Sequence, residues 1–153
     1  LSNNSKSSTL DTVLLFETLD RAVKPAEVLK KVNNMLKPGG LCFITCLLSS
    51  GFEVKVLGQD SEIFNPPERM NILSFEGMNV LIDQVGSFEV LEFSTPGVLD
   101  IPNVIKQLDQ INDEAFLHYI FKQRQEAELA GSFQDFLQLN RLGTFGRLVL
   151  RKK

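Results

Sequence analysis

The sequence has few of the residues on which common catalytic and metal sites depend. Among 153 residues there are two cysteines, one histidine and no tryptophan. A Ser-His-Asp or Cys-His arrangement would have to use His118, which stands in an apolar segment where a packed side chain is the usual role. Because no acidic spacing resembles a calcium loop either, we expect no metal site. Catalytic residues stay unidentified at this level.

An excess of basic charge and long apolar runs are also absent. The formal net charge is -3, and the closing Arg-Lys-Lys run is too short to attract a polyanion. No apolar stretch is long enough to cross a bilayer, and no signal peptide is visible. We therefore expect no nucleic-acid partner, no membrane partner and a cytoplasmic location.

The two cysteines, Cys42 and Cys46, lie four residues apart on one predicted strand and on the same face of it. Residues at that spacing are roughly 13 Å apart in an extended strand, which is too far for a disulfide between them. We expect both to be small buried core residues in a reducing compartment.

What the sequence does contain is typical of one globular domain with a core, since 43% of its residues are hydrophobic and 23% are charged. Its most informative stretch runs from Leu36 to Thr45. Pro38 cannot continue a helix, and the two glycines after it permit the positive φ of a tight turn. We predict a turn over 37–40 and then a buried strand from Leu41 to Leu48, apolar on both faces and so covered by helices on both sides.

The segment before this turn completes a β-α-β unit. Residues 11–16 form a short apolar run typical of a strand, and a helical pattern follows from Pro25 to Leu36. The handedness of such units predicts a parallel strand pair. Residues 1–9 have the composition of a linker or a disordered terminus, so the domain is expected over 10–153. Because the chain begins with Leu1 and not Met, we expect it to derive from a longer protein.

A second unit follows a long connection that extends through Pro67. Ser74 and Gly86 are placed to begin and end a helix over 75–85, and the strict alternation of residues 88–93 predicts a half-exposed strand near an edge. Three short amphipathic helices come next, with breaks near 112–113 and 130–132, and residues 146–151 form a last strand. The fold class is therefore α/β: a partial Rossmann-like, mostly parallel sheet of about four strands with helices on both faces. A helical insertion over about 98–142 precedes the antiparallel last strand.

These pieces resemble a known family. The run Asp-Thr-Val-Leu-Leu-Phe-Glu-Thr-Leu-Asp of 11–20, the Leu-Lys-Pro-Gly-Gly turn of 36–40 and the Ile-Thr pair of 44–45 are similar to the second half of a class I S-adenosylmethionine-dependent methyltransferase. The turn is the most specific of these signals. Residues 65–74, 86–91 and 94–100 look like a bacterial branch of that superfamily that acts on small molecules.

The resemblance implies a cofactor, S-adenosylmethionine, but only part of its site. In the family, a Gly-rich loop after the first strand and an acid after the second make most of the cofactor pocket, and nothing upstream of Asp11 resembles either. We therefore expect binding of the cofactor by the full-length parent, and a chain that is inactive alone. Arg21 is a further departure, because similar sequences commonly carry a histidine there.

The resemblance also implies site residues. Phe16 and Glu17, at the end of the first strand, would lie beside the cofactor's sulfonium, although Phe16 could equally be a core aromatic and Glu17 a solvated carboxylate. Glu68, Arg69 and Asn71 follow two prolines where the family makes contacts to its substrate, and a plain surface turn is the competing interpretation.

Two functions follow. The first is a fragment of a methyltransferase that acts on a small molecule such as a sugar or a cell-surface precursor. The second is a non-catalytic interaction or dimerisation module derived from the same fold. If the first half of the sheet is missing, one edge strand is unprotected, and a homodimer would cover it.

Overall fold

The computed structural model describes residues 8–111, 115–124 and 127–153, and these form a four-stranded sheet with helices. The strands are β1 (Leu10–Phe16), β2 (Leu36–Leu47), β3 (Phe88–Ser94) and β4 (Phe145–Lys152). The helices are α1 (Pro25–Met35), α2 (Phe52–Leu57), α3 (Phe75–Val85), α4 (Asp100–Gln107), α5 (Ala115–His118) and α6 (Ala127–Leu139). Short 3-10 turns follow α2 and α4, and a π-helical turn over Tyr119–Arg124 follows α5.

The sheet has the order β1-β2-β4-β3. Strands β1 and β2 are parallel, and β4 is antiparallel to both of its neighbours, β2 and β3. Three strands therefore run in one direction and the last strand is inserted against them. The α/β class, the strand number and the antiparallel last strand are all confirmed. Strand β3 lies at one edge, as its alternating pattern predicted, and β1 lies at the other.

The Lys-Pro-Gly-Gly segment is part of strand β2 and not a turn before it. Leu10 pairs with Leu36 and Thr12 with Leu41, so β2 holds three more residues than β1 over this interval. The extra residues form a bulge in which Gly39 has a φ of 78°. A Cβ on Gly40 would lie 2.9 Å from the carbonyl oxygen of Lys37, so only glycine fits there. The extra residues form a bulge because β2 pairs with β1 both before and after them.

The main core lies on one face of the sheet, where α1 and α3 pack together. It combines Leu29 and Val32 of α1 with inward-facing residues of the strands, and Cys42 and Cys46 are among the latter. Both thiols are buried, as predicted, and burial raises the pKa of each to about 12.

The opposite face of the sheet is open to solvent over part of its area. Leu14 and Phe16 are 56% and 59% exposed there. Together with Phe43 and Val149 they line a shallow groove of about 550 Å³. The two helices that contribute to the main core, α1 and α3, pack against the other face. This face of the sheet and the free edge of β1 are together called the open face below.

The insertion forms a second, smaller core. Ile101 and Val104 of α4 pack with Leu137 of α6 and with Leu57 of α2, and no strand residue belongs to this cluster. The break predicted near 130–132 is wrong, since α6 continues through it, and the break near 112–113 lies outside the described residues. The long connection that extends through Pro67 contains the helix α2, and Leu57 of this helix contributes to the same core.

Candidate active site

The carboxyl ends of the three codirectional strands meet at one edge of the sheet, and a cavity lies there. Its volume is about 490 Å³. It is lined by Glu17 after β1, Leu47 at the end of β2, Pro96–Asp100 after β3, and Thr144 and Phe145 at the start of β4. The remaining lining residues are Glu53 of α2, Asn103 of α4, and Glu62 and Ile63 of the turn that follows the 3-10 helix after α2. Open α/β sheets bind their ligands in this position.

The backbone at Glu17 turns sharply to place this side chain at the cavity. Its φ is 45°, in the left-handed region that a residue other than glycine rarely adopts. The Glu17 amide donates a hydrogen bond of 2.9 Å to the carbonyl oxygen of Thr45 on β2, which holds this conformation in register with the neighbouring strand. The strained turn therefore has a direct structural cause, and it ends β1 at the rim of the cavity.

Glu53 is a buried carboxylate in the cavity wall. Its side chain accepts a hydrogen bond of 2.6 Å from the Ser61 hydroxyl and one of 2.7 Å from the Asn103 amide. The residue is 3% exposed. Ser61 follows α2 and Asn103 lies in α4, so the carboxylate ties two parts of the helical region together.

Asp100 is the second buried carboxylate of the wall. It accepts a hydrogen bond of 2.7 Å from the Thr144 amide, and the Gln134 side-chain amide lies 3.3 Å from its other oxygen. Gln134 also donates to the Gly97 carbonyl at 2.9 Å, and Gln138 does so at 2.8 Å. These contacts hold the loop after β3 against α6 and the start of β4, so the far wall of the cavity has a fixed backbone.

Beside the cavity, Arg69 joins two carboxylates of the loop after β1. Its guanidinium donates to Glu17 at 3.1 Å and to Asp20, which is 1% exposed. The amides of Met70 and Asn71 donate to the Asp20 carbonyl at 2.8 and 3.0 Å. Arg69 therefore fixes the position of the Glu17 side chain.

The other predicted substrate residues belong to the same network. Glu68 pairs with Arg21, and this hydrogen bond raises the pKa of the Arg21 guanidinium above its usual value. Glu68 also accepts a hydrogen bond of 2.8 Å from Asn65. The Asn71 side chain donates to the Ala22 carbonyl. Four of the five predicted site residues, Glu17, Glu68, Arg69 and Asn71, thus form hydrogen bonds in or with the loop after β1.

Comparison with solved structures identifies the architecture. A putative methyltransferase from Haloferax volcanii, in a complex with its Trm112 activator, matches with a TM-score of 0.55 at 16% identity, over 95% of this chain and 55% of that one. Phosphoethanolamine N-methyltransferase 2 of Haemonchus contortus, in complex with S-adenosyl-L-methionine, matches with a TM-score of 0.53 at 17% identity, over 95% of this chain and 34% of that one. This chain has the fold of the class I S-adenosylmethionine-dependent methyltransferases.

The methyltransferase fold does not by itself fix the reaction. The [4+2]-cyclase SpnF matches with a TM-score of 0.52 at 18% identity, over 95% of this chain and 50% of that one, and its name describes another chemistry. No family model matches the sequence, and no curated protein matches it. The chain spans between about a third and just over half of these three structures.

Phe16, the remaining predicted residue of the cofactor site, lies apart from the cavity on the open face. It is 59% exposed and lines the groove beside Leu14, whereas Glu17, one residue later, lies at the cavity. Strand β1 ends at Phe16 and the backbone turns at Glu17, so Phe16 stays on the face of the sheet while Glu17 reaches the cavity.

Sequence reasoning missed the two buried carboxylates, Glu53 and Asp100. A signal for Glu53 was present in the sequence: Phe52, Val56 and Leu57 have helical spacing directly after Gly51. This spacing predicts the short helix α2, in a segment that was interpreted as a loop. His118 is half-buried and lies 2.8 Å from the Ile111 carbonyl, away from the cavity.

The described part of the chain contains no cluster of three or more metal-ligating side chains. It also contains no helix of the length and apolarity needed to cross a bilayer.

Proposed function

We propose that this chain is the C-terminal portion of an S-adenosylmethionine-dependent methyltransferase that acts on a small molecule, and that it supplies the acceptor side of the active site. The observation that supports the proposal most directly is the cavity at the carboxyl ends of the strands, with Glu17 at its rim and two buried carboxylates in its wall. Small-molecule sites are concave, mostly apolar and equipped with a few placed polar groups, and this cavity has that character. A bacterial origin, a cytoplasmic location and a sugar or cell-surface acceptor stay predictions of the sequence.

The residues of this chain fit only part of a cofactor site. Both described arginines near Glu17 already pair with its carboxylate, and the sequence before β1 contains no Gly-rich turn. Glu17 would border the cofactor at the ends of the strands. Phe16 would contact the part of the longer protein that covers the open face. Bound S-adenosylmethionine would supply the methyl group, while Glu68, Arg69 and Asn71 hold the loop that shapes the acceptor side. We therefore expect weak cofactor binding by this chain and firm binding by a longer protein that contains it.

Calorimetric titration of S-adenosylhomocysteine tests the proposal, performed on this chain and on the longer parent protein in parallel. Binding by the parent alone supports a methyltransferase of which this chain carries half the site. Absence of binding in both contradicts the enzyme proposal. Binding by this chain alone would mean that the cofactor pocket is made by residues other than those proposed.

A second candidate, an interaction or dimerisation module, is favoured by the contrast between the two sheet edges. Edge strand β3 carries Glu89 and Glu92 and has a bulge, features that discourage pairing with another strand. Edge strand β1 has one charged residue, Asp11, and places Leu14 and Phe16 in solvent. A β1 strand of a second copy could pair antiparallel about Val13 with no like charges opposite, which would give a homodimer with one continuous sheet.

Sedimentation of the wild-type chain and of a Leu14→Lys variant distinguishes this candidate. A dimer that the substitution abolishes supports the module, whereas a wild-type monomer at high concentration contradicts it. The substitution is on the exposed side of β1, so we expect the monomer fold to be kept.

A further inference from the structure

We propose that the cavity at the strand ends binds a small molecule with an apolar body and a positively charged amine head. The inference deepens the proposed function and rests on it, because it specifies the chemical class of the acceptor. It derives from the charges in the cavity wall and from the groups that do, or do not, compensate them.

All the charged side chains that line the cavity are acidic. They are Glu17, Glu53, Glu62 and Asp100. No lysine, arginine or histidine is among the described residues of the wall. A phosphate or carboxylate ligand would therefore meet repulsion on every charged side, whereas a cation would be attracted.

The two carboxylates at the rim are already compensated. Glu17 pairs with Arg69 at 3.1 Å, and Glu62 pairs with Lys106 at 2.9 Å. The pair of Glu62 and Lys106 is largely solvent-exposed, so water screens its electric field. These two residues consequently contribute little to the preference for a cation.

None of the hydrogen-bond donors that the structure gives for the two carboxylates inside the wall is a positively charged side chain. Glu53 receives its hydrogen bonds from a hydroxyl and an amide, and Asp100 receives its bonds from a backbone amide and a glutamine amide. All four donors are neutral. They satisfy the oxygen atoms without supplying an opposite charge, in residues that are 3% and 2% exposed. A charge that is buried in this way gains most from an opposite charge within a few ångströms.

The remainder of the wall suits an apolar body. Leu47, Ile63, Val98, Leu99 and Phe145 line it, and the volume of about 490 Å³ lies within the range of sites for small ligands. The ligand class follows from both parts of the wall together, a charged amine for the two carboxylates and a hydrocarbon portion for the apolar side chains.

Three probes with similar apolar bodies test the inference: phenethylamine, which is cationic at pH 7, 2-phenylethanol, which is neutral, and 3-phenylpropionate, which is anionic. Each is titrated into the 15N-labelled chain, and binding is followed by the amide shifts of residues 97–100 and 144–145. We expect the amine to bind about tenfold or more tightly than the alcohol, and the acid to bind least.

Substitution of the wall carboxylate gives the second readout. Glu53→Gln keeps the shape and removes the charge, so the preference for the amine over the alcohol should fall at least severalfold. Glu27→Gln, which removes a charge from the exposed surface of α1, should leave that preference unchanged. Asp100→Asn provides the same readout if the first variant does not fold.

Equal binding of amine and alcohol by the wild-type chain would overturn the inference, and so would a preference that survives loss of the carboxylates. The result is separable from that of the cofactor titration. Cofactor binding by the parent without amine preference keeps the methyltransferase and rejects the ligand class. Amine preference without cofactor binding keeps the site and rejects methyl transfer.

Discussion

Replacement of Arg69 should destabilise this domain more than replacement of any other described arginine. The guanidinium is the only side chain that donates to the carboxylate of Asp20, among the described residues, and the second oxygen of that carboxylate has no hydrogen-bond partner. Asp20 is 1% exposed and the Arg69 side chain 15%. Arg69→Met would therefore leave a buried carboxylate without its counter-charge.

Loss of one partner from a buried ion pair costs about 3–5 kcal/mol, and we expect Arg69→Met to lower the free energy of unfolding by that amount. Arg21→Met is the matched control, because Arg21 pairs with Glu68 and Glu17 where all three side chains are 39–48% exposed. An exposed pair contributes about 0–1 kcal/mol, so the control variant should unfold close to wild type.

Urea unfolding followed by circular dichroism measures both variants, together with the double variant Asp20→Asn/Arg69→Met. Removal of the buried charge along with its partner should recover a large part of the loss, since an asparagine costs less to bury than a carboxylate. The reasoning is refuted if the two arginine variants lose equal stability, or if the double variant is no more stable than Arg69→Met alone.

Three further changes have defined outcomes. Ser74→Ala removes the hydroxyl that accepts from an amide in the first turn of α3, so thermal or urea unfolding should show a loss of about 1 kcal/mol, which Ser74→Asp should restore. A Cβ on Gly51 would lie 2.3 Å from the Cα of Thr144, so Gly51→Ala should cost about 1–3 kcal/mol and shift the Thr144 amide resonance at the cavity. Because the unfolded thiols ionise near pH 9 and the buried ones near pH 12, the stability that Cys42 and Cys46 contribute is complete below pH 9 and declines from there to pH 12. In urea unfolding, the free energy of unfolding should be lower at pH 10 than at pH 8 by about 1 kcal/mol for each thiol. In Cys46→Ala, which keeps only one of the two thiols, this difference between pH 8 and pH 10 should be half as large.

Local signals were sufficient for the elements whose ends are set locally. Helix α3 begins after Ser74 and ends at Gly86, as predicted, because a cap needs only neighbouring residues. The segment 37–40 was predicted as a turn because proline and glycine favour one, but the hydrogen bonds of β1 on both sides make it a bulge in a longer strand. Tertiary pairing overrides local preference there.

The composition of the cavity wall could not be predicted, because its members come from distant parts of the chain. Glu53 and Asn103 are 50 positions apart, and Asp100 and Thr144 are 44 apart. In the sequence, the neighbours of each of these four residues are typical of an ordinary loop or of the start of a helix. The resemblance named Glu17 for the cofactor side and Arg69, 52 positions later, for the substrate side, but it did not predict the contact between them.

The central position of β4 has a consequence for the order in which this domain is made. Strand β3 pairs with β4 alone, and Glu89 bonds to Arg151, which is 62 residues later in the chain. During synthesis β3 therefore leaves the ribosome with no partner strand, and it must wait for the whole helical insertion to be translated. Such distant pairing slows folding and exposes strand edges in the meantime, so we expect the nascent domain to depend on chaperones until β4 has emerged.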